Sequence, residues 1–314
     1  MLSMGKEQVA YLGQAERPSF RRQAWHMHRF IKRAERLSPQ TFELGLGSDI
    51  QKVFTGDEQS KLEQLRTHQT IPVLICALDE MKQNNIGKTL FALAIQQGVR
   101  LQPIVVDNAS TDGTGQFAEK MGALVVSEEK EGVLNALRRG FEYLRDEVGY
   151  TGPILHTDAD AVPLPFWAKT LVDYADANIS NSGEAFGTVI YYEANKRFSF
   201  PKNSIHTVGA KVRDLRVRKR GETPVSRGPN GIIMTDSGTK ILDTLSNIEG
   251  KHDEADIVMQ SAVKEAEGAL AACSDSNATV IVSGRRVKNM FEMGLRIVAP
   301  KIAHRRAYKS WNQK

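Results

Sequence analysis

From residue 71 the apolar positions fall into short unbroken runs separated by amphipathic stretches. "IPVLICAL" (71–78), "QPIVVD" (102–107), "ALVVSE" (123–128) and "PILHTD" (153–158) show no polar alternation, so each reads as a strand covered on both faces. Between them, "GKTLFALAIQQG", "TGQFAEKMG" and "GVLNALRRGFEYLRDEVG" carry apolar residues at three- and four-residue steps, the period of a helix. This rotation of strand and helix predicts an α/β fold: a doubly wound, mostly parallel sheet flanked by helices. Further on, "EAFGTVIYYE" (184–193) is read as one more strand and "GPNGIIMTDSGTKILDTL" as turn, strand and helix. "HDEADIVMQSAVKEAEG" is read as a helix with acids in its first turn, where the helix dipole favours them.

Before residue 70 the pattern differs. "SFRRQAWHMHRFIKRAERL" (19–37) sets Phe20, Ala24, Met27, Ile31 and Ala34 at helix spacing, with Arg21, Arg22, Arg29, Lys32, Arg33 and Arg36 mostly elsewhere. That is a basic amphipathic helix. "SPQTF" and "GLGSD" read as turns and "DEQSKLEQLRTH" as a second short helix. The expected organisation is a helical N-terminal extension over 1–69 and an α/β domain over 70–314. The latter includes a basic segment at 196–228 and a basic tail at 285–314.

Composition narrows the class without naming it. An apolar content of 41% and a charged content of 25% in 314 residues suit a globular protein with a sizeable core. The two cysteines, Cys76 and Cys273, form no CxxC and suit neither a disulfide scaffold nor a thiolate zinc site. No apolar run approaches the ~20 residues of a spanning helix, and the N-terminus lacks a signal-peptide core. A cytoplasmic protein is expected, soluble or peripheral at the inner face of the membrane. The net charge of +5 points to an anionic ligand or surface.

The candidate chemistry lies at the strand ends. Parallel sheets of this kind bind ligands outside the carboxyl ends of their strands. Here those ends are Asp79 and Glu80, Asp107 and Asn108, and Asp158 and Asp160, so three chain-distant acidic clusters are expected along one edge. Two aspartates one residue apart repel unless a cation sits with them, and oxygen ligands at a strand end suit Mg²⁺ or Mn²⁺. The plainer reading of each cluster is a turn or a helix cap.

Taken in order, the pieces resemble a family 2 glycosyltransferase of the GT-A type. "CALDE", "VVDNASTDGT", "EEKEGVLNALRRG", "HTDADAVPLPFW", "GPNGIIMTDSGTKIL" and "HDEADIVMQ" stand where that family has its nucleotide, metal, acceptor and base motifs. The resemblance covers residues 71 to about 268. It implies transfer of a sugar, as a hexosyltransferase, from a nucleoside diphosphate donor to an acceptor hydroxyl, as in polysaccharide biosynthesis. UDP is the first donor expected; the acceptor is a glycan, a lipid-linked group or a small phosphorylated molecule. The resemblance implies that Asp158 and Asp160 hold Mg²⁺ or Mn²⁺ through the donor diphosphate. Ala77, Leu78, Glu80 and either Asp107 or Asn108 would hold the base, and Lys130 the base or phosphate. Glu254 or Asp253 would serve as general base for an inverting reaction. Three departures stand in the sequence: "LDE" replaces an Asn-Glu pair, Asp-Glu replaces Glu-Asp at 253–254, and Gln260 stands where Arg is frequent. A retaining relative would instead use a late histidine as a third metal ligand, His304 before His252.

Other readings are a nucleotide-binding inactive relative and a sugar nucleotidyltransferase; "CALDEMKQNN" lacks the latter's Gly-rich first loop. Nucleic acid is not expected as a partner, since the basic segment has little aromatic interleaving. Between Lys196 and Arg227 stand ten Lys or Arg and two acids, read as an acceptor loop. The 19–37 helix and the tail are read as packing on the core, forming a homodimer contact, or meeting anionic lipid through an apolar face flanked by Lys and Arg.

Overall fold

The computed structural model describes residues 18–179, 182–192, 230–234, 259, 262–265 and 267–283. Four helices come first: α1 (Phe20–Ala34), α2 (Pro39–Phe42), α3 (Ser48–Val53) and α4 (Glu58–Arg66). The α/β part follows as β1 (Ile71–Ala77), α5 (Asn85–Ala94), β2 (Leu101–Asp107), α6 (Thr114–Lys120), β3 (Leu124–Ser127), α7 (Val133–Glu142) and β4 (Ile154–Asp158). Next come β5 (Ala161–Pro163), α8 (Trp167–Asn178), β6 (Ser182–Phe186), β7 (Thr188–Tyr192), β8 (Asn230–Met234), β9 (Ala269–Ala272) and β10 (Thr279–Ser283).

The main sheet has the order β3-β2-β1-β4-β8-β6-β9. Its first four strands are parallel, as the unbroken apolar runs require. Strand β8 runs antiparallel to both β4 and β6, and β9 is parallel to β6. A second sheet has the order β5-β10-β7. The chain direction of the strand order reverses between β1 and β4, so a crevice opens at their carboxyl ends.

Two expectations need correction. "EAFGTVIYYE" is two strands, not one. The break falls at Gly187, where a Cβ would overlap the Ala278 carbonyl, so the chain leaves the main sheet at β6 and enters the small one at β7. The turns expected at "SPQTF" and "GLGSD" are helical: α2, a π-helical turn at Glu43–Gly47 and α3 follow one another. Ser38 caps this segment by accepting from the Thr41 amide, with Pro39 in the first turn. Phe42, Leu46 and Ile50, four residues apart, then bury in the core.

The N-terminal helices share the core of the α/β part. Met27, Phe30, Ile31 and Ala34 of α1 belong to the same apolar cluster as Leu90, Phe91 and Leu155, and Phe30 stacks on Phe91 at 4.4 Å. The polar contacts across this junction are buried too. Asn84, held at φ 53°, donates to the carbonyls of Ala34 and Leu37 at 2.7 and 2.8 Å. Lys88, fully buried on α5, lies 3.8 Å from Glu35. The opposite face of the sheet is covered by a second cluster that contains Leu74, Ile104, Phe141, Ile154 and Ile233.

Candidate active site at the strand ends

Strand register sets the floor of the site. Ala77 pairs with Asp107, Asp107 with Ser127, and Cys76 with Asp158. The carboxyl ends of β3, β2, β1 and β4 therefore form one continuous edge, and the three acidic clusters foreseen from the sequence do meet there.

The β1–α5 and β2–α6 loops are braced to one another. The Asp79 amide donates to Ser110 Oγ (3.1 Å), and the Thr111 amide returns a bond to Asp79 Oδ1 (2.8 Å). The Glu80 amide donates to Thr114 Oγ1 (2.8 Å), whose hydroxyl donates to Asp112 Oδ1 (2.5 Å); the Met81 amide donates to Asp112 Oδ2 (2.9 Å). Asp79 sits at φ 53°, a conformation that short acidic side chains tolerate because they can bond locally. Asp79 and Asp112 thus serve the loops themselves. Glu80 is buried and accepts from Asn85 Nδ2 at 2.8 Å, whereas Leu78 is 41% exposed above the edge.

Asp107 and Asn108 part company. Asp107 ends β2 half-buried, and its carboxylate accepts from the Ser110 amide at 3.2 Å. A Cβ on residue 115 would overlap that carboxylate, so Gly115 leaves room for it at the start of α6. Asn108 is buried, and its amide group is committed to the β3–α7 loop. Its Nδ2 donates to the Glu128 and Lys130 carbonyls (3.2 and 2.8 Å), and its Oδ1 accepts from the Gly132 amide (2.7 Å). Lys130 is exposed at the tip of this loop. The sequence offers Asp107 or Asn108 as the base contact; the side-chain bonds of Asn108 hold Lys130 and Gly132 in place.

At the end of β4, Asp158 and Asp160 are partly exposed while Ala159 between them is buried. Thr89, buried on α5, fixes this turn from below: its Oγ1 lies 2.8 Å from the Ala159 carbonyl and 2.7 Å from that of Ala161. One hydroxyl proton cannot serve both at once, so the two carbonyls share it. The Asp158 charge reaches the neighbouring strand. Burial first, and then that charge, push the Cys76 thiol well above its ordinary range. Partly exposed carboxylates on a buried turn offer hard oxygen donors and leave other positions to water and phosphate, which suits Mg²⁺ or Mn²⁺. Among the described residues no group of three or more His, Cys, Asp or Glu gathers into a metal cluster.

Two features were missed from the sequence. His156, on β4 two residues before Asp158, lies 3.3 Å from the fully buried Glu184 of β6. Gly231 of β8 makes room for the pair, since a Cβ there would overlap the imidazole. Asn230, also buried, accepts from Trp167 Nε1 (2.6 Å) and donates to the Thr188 and Ala278 carbonyls (2.8 and 3.1 Å). It joins the two sheets behind the Asp158–Asp160 turn. "PFW" and "GPNG" were both visible as motifs, but nothing in the sequence shows that they touch.

Asp253, Glu254, His252 and His304 lie outside the described residues, as do the 196–228 segment and the 285–314 tail. Met259, Ala262 and Val263 are described, and they pack into the second apolar cluster with Ile154 and Ile233. No helix among the described residues is long and apolar enough to cross a membrane.

Among solved structures, glucosyl-3-phosphoglycerate synthase from Mycobacterium tuberculosis, in complex with Mn²⁺, UDP and phosphoglyceric acid, is 18% identical. The match covers 77% of this chain and 80% of that one, with a TM-score of 0.42. Staphylococcus aureus TarS is 16% identical over 68% of this chain and 36% of its own, with a TM-score of 0.45. No curated protein sequence matches the chain. The family model described as glycosyl transferase family 2 matches residues 73–233, just over half of the chain, from within β1 to within β8. The cross-braced strand ends and the Asp158–Asp160 turn all fall inside that match, and the chain is a glycosyltransferase that belongs to glycosyl transferase family 2.

Proposed function

We propose that the protein moves a hexose from a nucleoside diphosphate sugar, UDP-sugar first, to an acceptor hydroxyl, with Mg²⁺ or Mn²⁺ held by Asp158 and Asp160. The observation that carries this reading is the Asp158–Asp160 turn. It lies at the carboxyl end of β4 beside β1, where the strand order reverses, and Thr89 fixes its backbone from below. The base and ribose would sit over Ala77, Leu78 and the Asp107 carboxylate, with Lys130 toward the base or the phosphates. Glu80 and Asn108 act by holding the loops that carry these contacts. The cation, when bound, supplies Lewis-acid stabilisation of the departing diphosphate.

Glu254, or Asp253 beside it, takes the proton of the acceptor hydroxyl. That oxygen bonds to the anomeric carbon as the carbon–oxygen bond to the diphosphate breaks, with inversion. Support comes from Met259, Ala262 and Val263, which pack on the sheet face that carries Ile154 and Ile233. Asp158 follows Ile154 at even spacing along β4, so it belongs to that face as well. In the retaining alternative His304 would join the metal. The acceptor class remains that of the sequence reading: a glycan, a lipid-linked group or a small phosphorylated molecule, with 196–228 as its loop.

Calorimetric titration of UDP, GDP and dTDP, with Mn²⁺ and with chelator, tests the donor half. One nucleotide should bind with metal and fail without it, and Asp160→Ala should lose that binding. Nucleotide binding indifferent to both would overturn the metal assignment. For the acceptor half, Glu254→Gln should cut transfer by about 10²–10⁴-fold while sparing donor binding. Unchanged transfer in that variant would remove Glu254 as base.

A further inference from the structure

Helix α1 was expected to meet lipid, if at all, through its apolar face. That face is occupied: Met27, Phe30, Ile31 and Ala34 are buried in the protein core. The opposite face carries Arg21, Arg22, Trp25, Arg29 and Arg33, all exposed, with Arg36 just beyond. Trp25 is 53% exposed, and the Arg29 guanidinium lies 4.6 Å from the centre of its ring.

Most of the charge on this face has no carboxylate beside it among the described residues. Helix α1 contains no Asp or Glu. The adjacent Glu35 is drawn inward between Lys32 and the buried Lys88. Among the described residues, Arg21, Arg29, Arg33 and Arg36 have no carboxylate within ion-pair distance. Residues 20–36 hold six Lys or Arg against one Glu, an excess equal to the +5 of the whole chain.

Shape selects the partner. A 15-residue helix is about 22 Å long and presents a convex ridge with one aromatic ring. Single-stranded nucleic acid is bound in basic grooves with several stacking rings, which this ridge lacks. A planar layer of anionic headgroups can meet every arginine along the ridge at once. An exposed Trp among arginines matches the headgroup level of a bilayer, where amphipathic rings concentrate. The helix is also rigidly oriented. Its C-terminal end is bonded to Asn84, four residues after Glu80, while Gln23 near its start donates to Asn277.

We propose that the arginine-rich, Trp25-bearing face of α1 docks the protein onto an anionic lipid bilayer, with the C-terminal end of the helix and the strand-end site held beside the headgroups.

Flotation of the full chain with vesicles tests this without reference to activity. The protein should float with phosphatidylcholine vesicles that contain a third phosphatidylglycerol, should not float with phosphatidylcholine alone, and should be released by molar salt. Each basic side chain at such a surface contributes about fivefold, so Arg21→Gln, Arg29→Gln and Arg33→Gln together should weaken binding by about a hundredfold. All three residues are exposed, so circular dichroism and the melting temperature should stay as in the wild type. Trp25→Ala should weaken binding by a further three- to tenfold or so. Three results would each overturn the proposal: a triple variant that floats like wild type, equal flotation with neutral vesicles, or binding to RNA without binding to anionic vesicles.

Discussion

Two buried asparagines, each with three side-chain hydrogen bonds, hold the two halves of this molecule together in different ways. Asn108 bonds to residues 128, 130 and 132, all within the next strand–helix unit. Asn230 bonds to residues 167, 188 and 278, which arrive from both sides of it in the chain and from different elements. The first half, β1 to β4, is therefore a series of neighbouring units braced loop to loop. The second half, β5 to β10, is closed by contacts between distant pieces. A local brace should fail locally, whereas a distant one should loosen the packing of two sheets.

The largest effect on stability is expected from Asn230→Ala. It strands the buried Trp167 indole N–H and removes the side-chain donor from the Thr188 and Ala278 carbonyls, the latter still held by the Thr188 amide, and urea unfolding should show a loss of about 3–5 kcal/mol. Asn108→Ala should cost less, about 2–3 kcal/mol, because its partners are only partly buried. Its distinguishing mark should be faster hydrogen exchange at Gly132 with the β5–β10–β7 sheet still protected. If both variants opened both halves equally, the contrast would be lost.

Gly231→Ala probes the seam between halves. The new methyl overlaps His156 where it faces Glu184, and overpacking of this kind costs about 2 kcal/mol in the melting transition. The smallest change is Thr89→Val, an isosteric swap that leaves the Ala159 and Ala161 carbonyls without the hydroxyl and costs about 1–2 kcal/mol. Its value lies in a second readout: metal-dependent nucleotide binding should weaken as the Asp158–Asp160 turn loosens. Binding unchanged beside a lowered melting temperature would make Thr89 a purely structural clamp.

The sequence by itself determined the parallel half. Unbroken apolar runs at β1 to β4 can only be covered on both faces, and amphipathic stretches between them must form the cover. Acidic residues at the run ends then had to meet along one edge, and Asp107, Asp158 and Asp160 do. What those side chains touch was decided only by tertiary structure. Asn108 and Glu80 carry the same polar character as Asp107, yet they are buried against the β3–α7 loop and Asn85, whereas Asp107 is only half-buried. Gly187 and Gly231 look like ordinary strand glycines until a carbonyl from residue 278 and a ring from residue 156 are brought against them. The helical reading of α1 was likewise set by spacing alone, but the fate of its two faces was not. Periodicity fixes which residues share a face, because it is a property of one helix or strand. Which neighbour covers that face depends on chain segments far away, and only packing brings those together.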